Sequence, residues 1–237
     1  MVNILTRRVQ TIWGSQISMN HREGTNDSMI IESVMEYDEY GTKNISYKDG
    51  DVFIDLGSHI ATWAVLMAIK NPTFKVYAFE AIPDNYEIMV QNIKLNNLNN
   101  VIPYLLAVTD KSDEIIKIYH NDESTPFNSQ HRFIGSMEGS SDDYYSTPSI
   151  SLNDIFKNNN IDRCRVIKTD CEGCELKAFA SLTPDNINKI DYVIGEYHPF
   201  GMGMEDFFKL FKNFDSLLPF HGNELQNFIF KNKEANK

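Results

Sequence analysis

The stretch Asp51–Ala61, DVFIDLGSHIA, constrains this chain more than any other. Val52-Phe53-Ile54 is a short β-rich apolar run, which reads as a buried strand. Asp55-Leu56-Gly57-Ser58-His59 then reads as a tight turn, and Ile60–Lys70 is apolar with few breakers, as a packed helix requires. A strand, a glycine turn and a helix start together form a ligand-binding corner. Backbone N–H groups point outward there, and glycine lets a ligand approach the chain closely.

The same alternation continues downstream. Asn71-Pro72 stops the first helix. Lys75–Phe79 is a second strand ending in Glu80, and Pro83 opens a long helix to about Asn96. Val101–Val108 is a third strand, and Ile115–Tyr119 alternates like an edge strand. A short helix near Leu152–Asn158 precedes a fourth strand, Arg165–Thr169, ending at Asp170. A helix over Glu175–Leu182 precedes a fifth strand, Tyr192–Gly195, ending at Glu196-Tyr197-His198. Glu205–Phe214 reads as a last helix. Leu217–Phe220 and Asn227–Lys231 read as a closing hairpin turning at His221-Gly222-Asn223. Alternating strands and helices predict an α/β fold, a mainly parallel sheet with helices on both faces. Ligands of such sheets bind beyond the carboxyl ends of the strands. Asp55, Glu80, Asp170 and Glu196 therefore converge on one rim.

Two segments lie outside this alternation. Residues 1–50 predict a helical extension packed on the core, with Asp27 capping a helix over Met29–Tyr37. Asn121–Ser149 has no clear periodicity over about 25–30 residues, a length that points to a lid-like loop or a disordered insert. Residues 51–237 then form the main domain.

The totals exclude several classes. A length of 237 residues suits one α/β domain, and 42% apolar with 23% charged residues is ordinary for a soluble protein. A net charge of −11 argues against a nucleic-acid or anionic-membrane binder. No apolar run reaches the ~18–20 residues of a spanning helix, and the first residues do not form a secretory signal. Three cysteines late in the chain, Cys164, Cys171 and Cys174, are not a disulfide framework. Cys171-Glu172-Gly173-Cys174 is formally a C-x-x-C, a redox or zinc pair in its functional reading, but zinc needs about four ligands and no second pair exists. The pair reads rather as small residues at a strand end and helix start, in a reducing, cytoplasmic location.

An acid at the end of the second strand suits bidentate bonding to ribose hydroxyls, which is the role expected of Glu80. A dinucleotide wants G-x-G-x-x-G, whereas this corner offers Gly57 followed by Ala61. S-adenosylmethionine has no phosphates, and its positive charge suits Asp55 and Asp170.

The residues resemble the FkbM-type S-adenosylmethionine-dependent methyltransferases. Asp55-Leu56-Gly57-Ser58-His59-Ile60-Ala61 is similar to their D-V-G-A-N-I-G, Tyr77–Ala81 to Y-A-F-E-P, and Asn92–Asn96 to N-I-x-L-N. Lys168–Glu175 matches K-x-D-x-E-G-x-E at every fixed position. Arg22–Asp27 and Asp38–Tyr40 also resemble the family. The resemblance implies a Rossmann-like methyltransferase fold, a seven-stranded sheet whose last strand is antiparallel, and methyl transfer to oxygen on a sugar or other small molecule. The expected cofactor-binding set is Asp55, Gly57, Ser58, His59, Glu80, Ala107 and Asp170. His59 either contacts the cofactor or is a turn residue facing solvent. Departures fall at Ser58, His59, Ala61 and Ala81.

Transfer to a hydroxyl requires alignment and removal of a proton. Asp170, Glu172, Glu196 and His198 are the candidate catalytic residues. Asp170, Glu196 and His198 would form a base cluster or hold a divalent cation, for which no further ligands are apparent. Glu172 also reads as an acid favoured at a helix start, and Lys168 as the ion-pair partner of a nearby acid. The expected partner is a small-molecule or glycan acceptor, without nucleic acid or membrane. The alternative is a non-catalytic cofactor-binding or assembly protein of the same fold.

Overall fold

A computed structural model of the chain describes residues 2–119, 144–197, 204–218 and 226–235. The opening segment differs from its helical expectation. It begins with an antiparallel hairpin, β1 (Ile4–Gln10) and β2 (Gln16–Arg22). Ile17 and Met19 alternate with polar residues in β2, and Gly14 in the turn between the strands has φ 83°, a backbone conformation that suits glycine. The predicted helix follows as α1 (Asp27–Met35), with Asp27 as its first residue and not its expected cap, because the Asp27 carboxylate accepts from Arg22 instead; a 3₁₀ turn over Thr42–Asn44 comes next.

The central sheet assembles from β3 (Val52–Leu56), β4 (Lys75–Glu80) and β5 (Val101–Leu105), interleaved with α2 (Thr62–Lys70) and α3 (Pro83–Leu95). The predicted third strand is in fact two. Leu106 breaks it, donating its N–H to the Glu80 carbonyl at 3.0 Å. The chain beyond becomes β6 (Ala107–Thr109) in a separate sheet with β7 (Ile115–Tyr119) and β8 (Tyr144–Ser151), in the order β6-β8-β7. Pro103 is tolerated in β5 because that strand ends the main sheet. The expected lid over 121–149 is a strand from Tyr144 onward, and its remainder, 121–143, lies outside the described residues.

The second half supplies α4 (Leu152–Asn158), β9 (Cys164–Thr169), α5 (Glu175–Ala180), α6 (Pro184–Asn188) and β10 (Ile190–Tyr197). It closes with α7 (Met204–Leu210), β11 (Phe214–Ser216) and β12 (Gln226–Asn232). β11 and β12 pair antiparallel, so the predicted hairpin exists with its first strand a few residues earlier; its expected turn at 221–223 lies outside the described residues. The main sheet has seven strands in the order β11-β12-β10-β9-β3-β4-β5. The β9–β10, β3–β9, β3–β4 and β4–β5 pairs are parallel, and β12 runs antiparallel to β10. This is the Rossmann-like order and the antiparallel last strand expected.

Alternation along the central strands divides the core in two. Phe53, Val76, Val166 and Ile194 pack on one face with α1, α2 and α3; Ile54, Tyr77, Ile167 and Val193 pack on the other with α4, α5 and α7. Polar bonds fasten the opening hairpin to the first layer. Asn92 accepts the Asn20 N–H at 2.6 Å and donates to the Ile60 carbonyl at 2.9 Å, and Asn96 donates to the Ser18 carbonyl at 2.8 Å. No helix among the described residues is long and apolar enough to cross a membrane.

Candidate active site

The carboxyl ends of β3, β4, β9 and β10 open onto a cavity of about 420 Å³. Gly57, Ser58, His59, Glu80, Ala107, Asp170, Glu172 and Glu196 all line it. The rim expected from the sequence is therefore brought together. Asp55 is an exception. It is fully buried behind the rim, 3.3 Å from the Lys168 ammonium, and does not reach the cavity wall. It sits near the end of a central strand with a neighbouring strand on each side, and its side chain is fully buried. His198 lies outside the described residues.

The first corner, between β3 and α2, is shaped by backbone geometry. Gly57 has φ 69°, and a Cβ added there would lie 2.0 Å from the Asp170 carbonyl oxygen. No other residue fits. His59 and Ala61 follow with φ of 52° and 72°, so Ala61 holds a left-handed conformation at the position where the family pattern has glycine. Ser58 donates its N–H to the Phe79 carbonyl at 2.9 Å, tying the corner to β4. Glu80 accepts the N–H of His59 at 2.7 Å on one oxygen and that of Ile82 at 2.8 Å on the other. Burial raises the Glu80 carboxyl above its ordinary value, and the two amides act against that rise.

His59 does not face solvent freely. Its Nε2 lies 3.1 Å from Asp27 and 3.0 Å from the Arg22 guanidinium, which itself binds Asp27 through two bonds. Burial opposes the charge on Asp27, but His59 and Arg22 outweigh it and hold the carboxyl far below its ordinary range.

The second corner, between β9 and α5, is shaped by charge and a covalent bond. Lys168 sits under the corner and donates to the Gly57 carbonyl at 2.9 Å. Burial works against its charge, yet Asp55 and Asp170 hold the ammonium above its ordinary value. Tyr40 donates its hydroxyl to Asp170 at 2.6 Å. Burial, then the charge of Asp170, raises the Tyr40 phenol well above its usual value. Cys171 and Cys174 are joined by a disulfide, with their Cα atoms 5.6 Å apart. This corrects the expectation of two unlinked small residues. The turn brings the two positions within bridging distance, which spacing alone does not reveal.

Residues before the first corner complete the wall. Asn26, Met29, Ile30, Ser33, Glu39 and Tyr40 all line the cavity, together with Asn85 from α3. Sequence reasoning assigned them no role. The only signal was the family-like character of 22–27 and 38–40. Three lining residues carry a buried polar atom with no hydrogen-bond partner among the described residues: Asn26 Oδ1, His59 Nδ1 and Asn85 Oδ1. Buried polar atoms are normally paired, so three orphans around one cavity fit a polar ligand that partners them. Among the described residues no group of three or more His, Cys, Asp or Glu is placed to hold a metal ion.

Comparison with known proteins finds chains similar to this one. The hexuronic acid methyltransferase AglP of Haloferax volcanii is 28% identical over 163 residues, covering 69% of this chain and 62% of that one. A tRNA(Phe) (4-demethylwyosine(37)-C(7)) aminocarboxypropyltransferase of Methanocaldococcus jannaschii is 27% identical over 124 residues, covering 48% and 50%. The chain thus spans less than two thirds of the length of either relative. The structure of Aeropyrum pernix fibrillarin with bound S-adenosyl-L-methionine aligns over 97% of this chain and 100% of that one, at 11% identity and a TM-score of 0.45. The methyltransferase FkbM domain model matches residues 55–225, most of the chain, and the protein belongs to that family.

Proposed function

We propose that this protein is an S-adenosylmethionine-dependent methyltransferase that methylates a hydroxyl on a sugar or other small molecule. The observation that carries the reading is the cavity at the strand ends, lined by Glu80 and by Asn26, His59 and Asn85, each of the last three with one orphaned buried atom. Membership of the FkbM family supports the reaction class, and the hexuronic acid methyltransferase of Haloferax volcanii supports a sugar acceptor.

Each residue has a part in this reading. Glu80 binds the ribose hydroxyls with the acceptor capacity its two amide partners leave. Asn85, at the start of α3, and Ala107, in β6, flank the base. Gly57, Ser58 and His59 line the path of the amino-acid tail, with Asn26 accepting from its ammonium. The cofactor supplies an electrophilic methyl group on a cationic sulfur. Asp170, held by Tyr40, presents a carboxylate to that positive charge. Glu172 and Glu196 both line the cavity, which supports them as the groups that take the proton of an acceptor hydroxyl; His198 stays a candidate for that role from its sequence position. Asp55 acts indirectly, by fixing Lys168 beneath the corner. Residues 51–237 form the methyltransferase domain, and residues 1–50 complete its cavity.

Calorimetry with S-adenosylhomocysteine tests the reading. Micromolar binding is expected, and Glu80→Ala is expected to weaken it by about ten-fold or more, the loss of charge-assisted bonds. Absence of binding at high micromolar ligand would sink the cofactor assignment. An unchanged affinity in the variant would remove the ribose role alone.

A further inference from the structure

The disulfide stands in the wall of the cavity, yet none of the roles above uses its sulfurs. Cys171 and Cys174 both line the cavity, whereas Cys164 is free and buried elsewhere. The bridge closes a small ring across the turn between Asp170 and the first residue of α5. Inside that ring Glu172 has φ 54° and Gly173 has φ 102°. A left-handed backbone is unfavourable for a glutamate. Two restraints act on this turn beside the other contacts of Glu172. One is the Glu175 carboxylate, whose Oε1 accepts the N–H of Cys171 at 3.2 Å and of Gly173 at 3.3 Å. The other is the disulfide. The two cysteines occupy the two variable positions of K-x-D-x-E-G-x-E that flank Glu172-Gly173, so the clamp belongs to this chain and not to the motif.

We propose that Cys171–Cys174 is a thiol–disulfide exchange site that controls the second corner of the cavity. Closed, the bridge holds Glu172 and the turn after Asp170 in their cavity-facing positions. Opened by a dithiol, it releases them and weakens cofactor binding. The link to binding rests on the cofactor reading above; the control of the turn does not.

The exchange balances. A thiolate of the dithiol attacks Sγ of Cys171, the more accessible of the two, because Cys174 is buried. The Cys171–Cys174 bond breaks, and the Cys174 sulfur leaves as a thiolate and takes a proton. The second thiol of the reagent then attacks the mixed disulfide, freeing Cys171 as a thiol and leaving the reagent as a cyclic disulfide. Two electrons and two protons pass from the dithiol to the pair.

The test compares air-oxidised full-length protein with the same protein in dithiothreitol, and with a Cys171→Ser/Cys174→Ser variant. Differential alkylation and mass spectrometry report the bridge, amide hydrogen exchange reports the turn, and calorimetry reports S-adenosylhomocysteine affinity. Reduction is expected to speed exchange at the Cys171 and Gly173 amides, and to weaken affinity, by about five-fold or more, the size set by releasing one strained residue. The double variant is expected to match the reduced protein and to ignore dithiothreitol. Failure of the oxidised protein to form the bridge overturns the proposal, as does equal amide exchange in both states. Faster exchange with unchanged affinity overturns the link to binding. If the oxidised protein binds no S-adenosylhomocysteine, the cofactor reading falls, and the exchange comparison still decides the control of the turn.

Discussion

The two corners of the cavity do the same job by different physics. Each is a strand end, a short turn with left-handed residues, and a helix start. At the first, His59 and Ala61 hold φ of 52° and 72°, and the restraints are backbone bonds from Ser58 to Phe79 and from His59 to Glu80. At the second, Glu172 and Gly173 hold φ of 54° and 102°, and the restraints include the disulfide and the Glu175 carboxylate that accepts the Cys171 and Gly173 amides. The first is stabilised by hydrogen bonds, those of the His59 amide to the Glu80 carboxylate and of the Lys168 ammonium to the Gly57 carbonyl among them. The second also carries one covalent bond that a reductant breaks. A corner held by hydrogen bonds has one covalent state, whereas a corner that also carries a disulfide has two.

Three substitutions would break or sharpen this contrast. The largest effect is expected where the corners touch. Gly57→Ala pushes a methyl group into the Asp170 carbonyl oxygen. It is expected to cost about 4 kcal/mol or more, the range reserved for severe strain, and to abolish binding at both corners. Urea denaturation checks it; a loss under about 1 kcal/mol would mean the corners are not in contact. Lys168→Met leaves Asp55 buried without its counter-ion and is expected to cost about 3 kcal/mol. Denaturation at pH 7 measures that cost, and a neutral outcome would remove charge from the account of the second corner. The smallest effect is a gain. Ala61→Gly relieves a left-handed alanine in a fully buried turn and is expected to raise stability by about 1 kcal/mol. A stability loss instead would show that the Ala61 methyl contributes more by packing than its backbone costs.

Much of the site was legible because its residues sit in regular elements. Glu80, Asp170 and Glu196 were placed on one rim by counting strands, since a parallel sheet puts every carboxyl end at the same edge. Asp55 obeyed the same count and still lies behind the wall, because a strand end that is covered on both sides buries what it carries. The break at Leu106 was not legible. Val101–Val108 has uniform strand character, and the switch to a second sheet depends on β8, reached only after the long intervening segment. The hairpin at the start was missed because α1 gave the stronger local signal and the alternation of β1 and β2 is mostly polar.

The sequence by itself determined the alternating α/β order, the glycine corner, the acidic rim and the family, because these depend on periodicity and on fixed local spacing. Only the tertiary structure decided which partners each rim residue has. Tyr40 meets Asp170 across 130 positions, Lys168 meets the Gly57 carbonyl across 111, and Asn26, His59 and Asn85, each with one unpaired atom, line one cavity. Such contacts join residues far apart in the chain, and no local pattern encodes them. The bond between Cys171 and Cys174 is short in sequence, but it too was decided by the fold, which bends the turn after Asp170 until the two sulfurs meet.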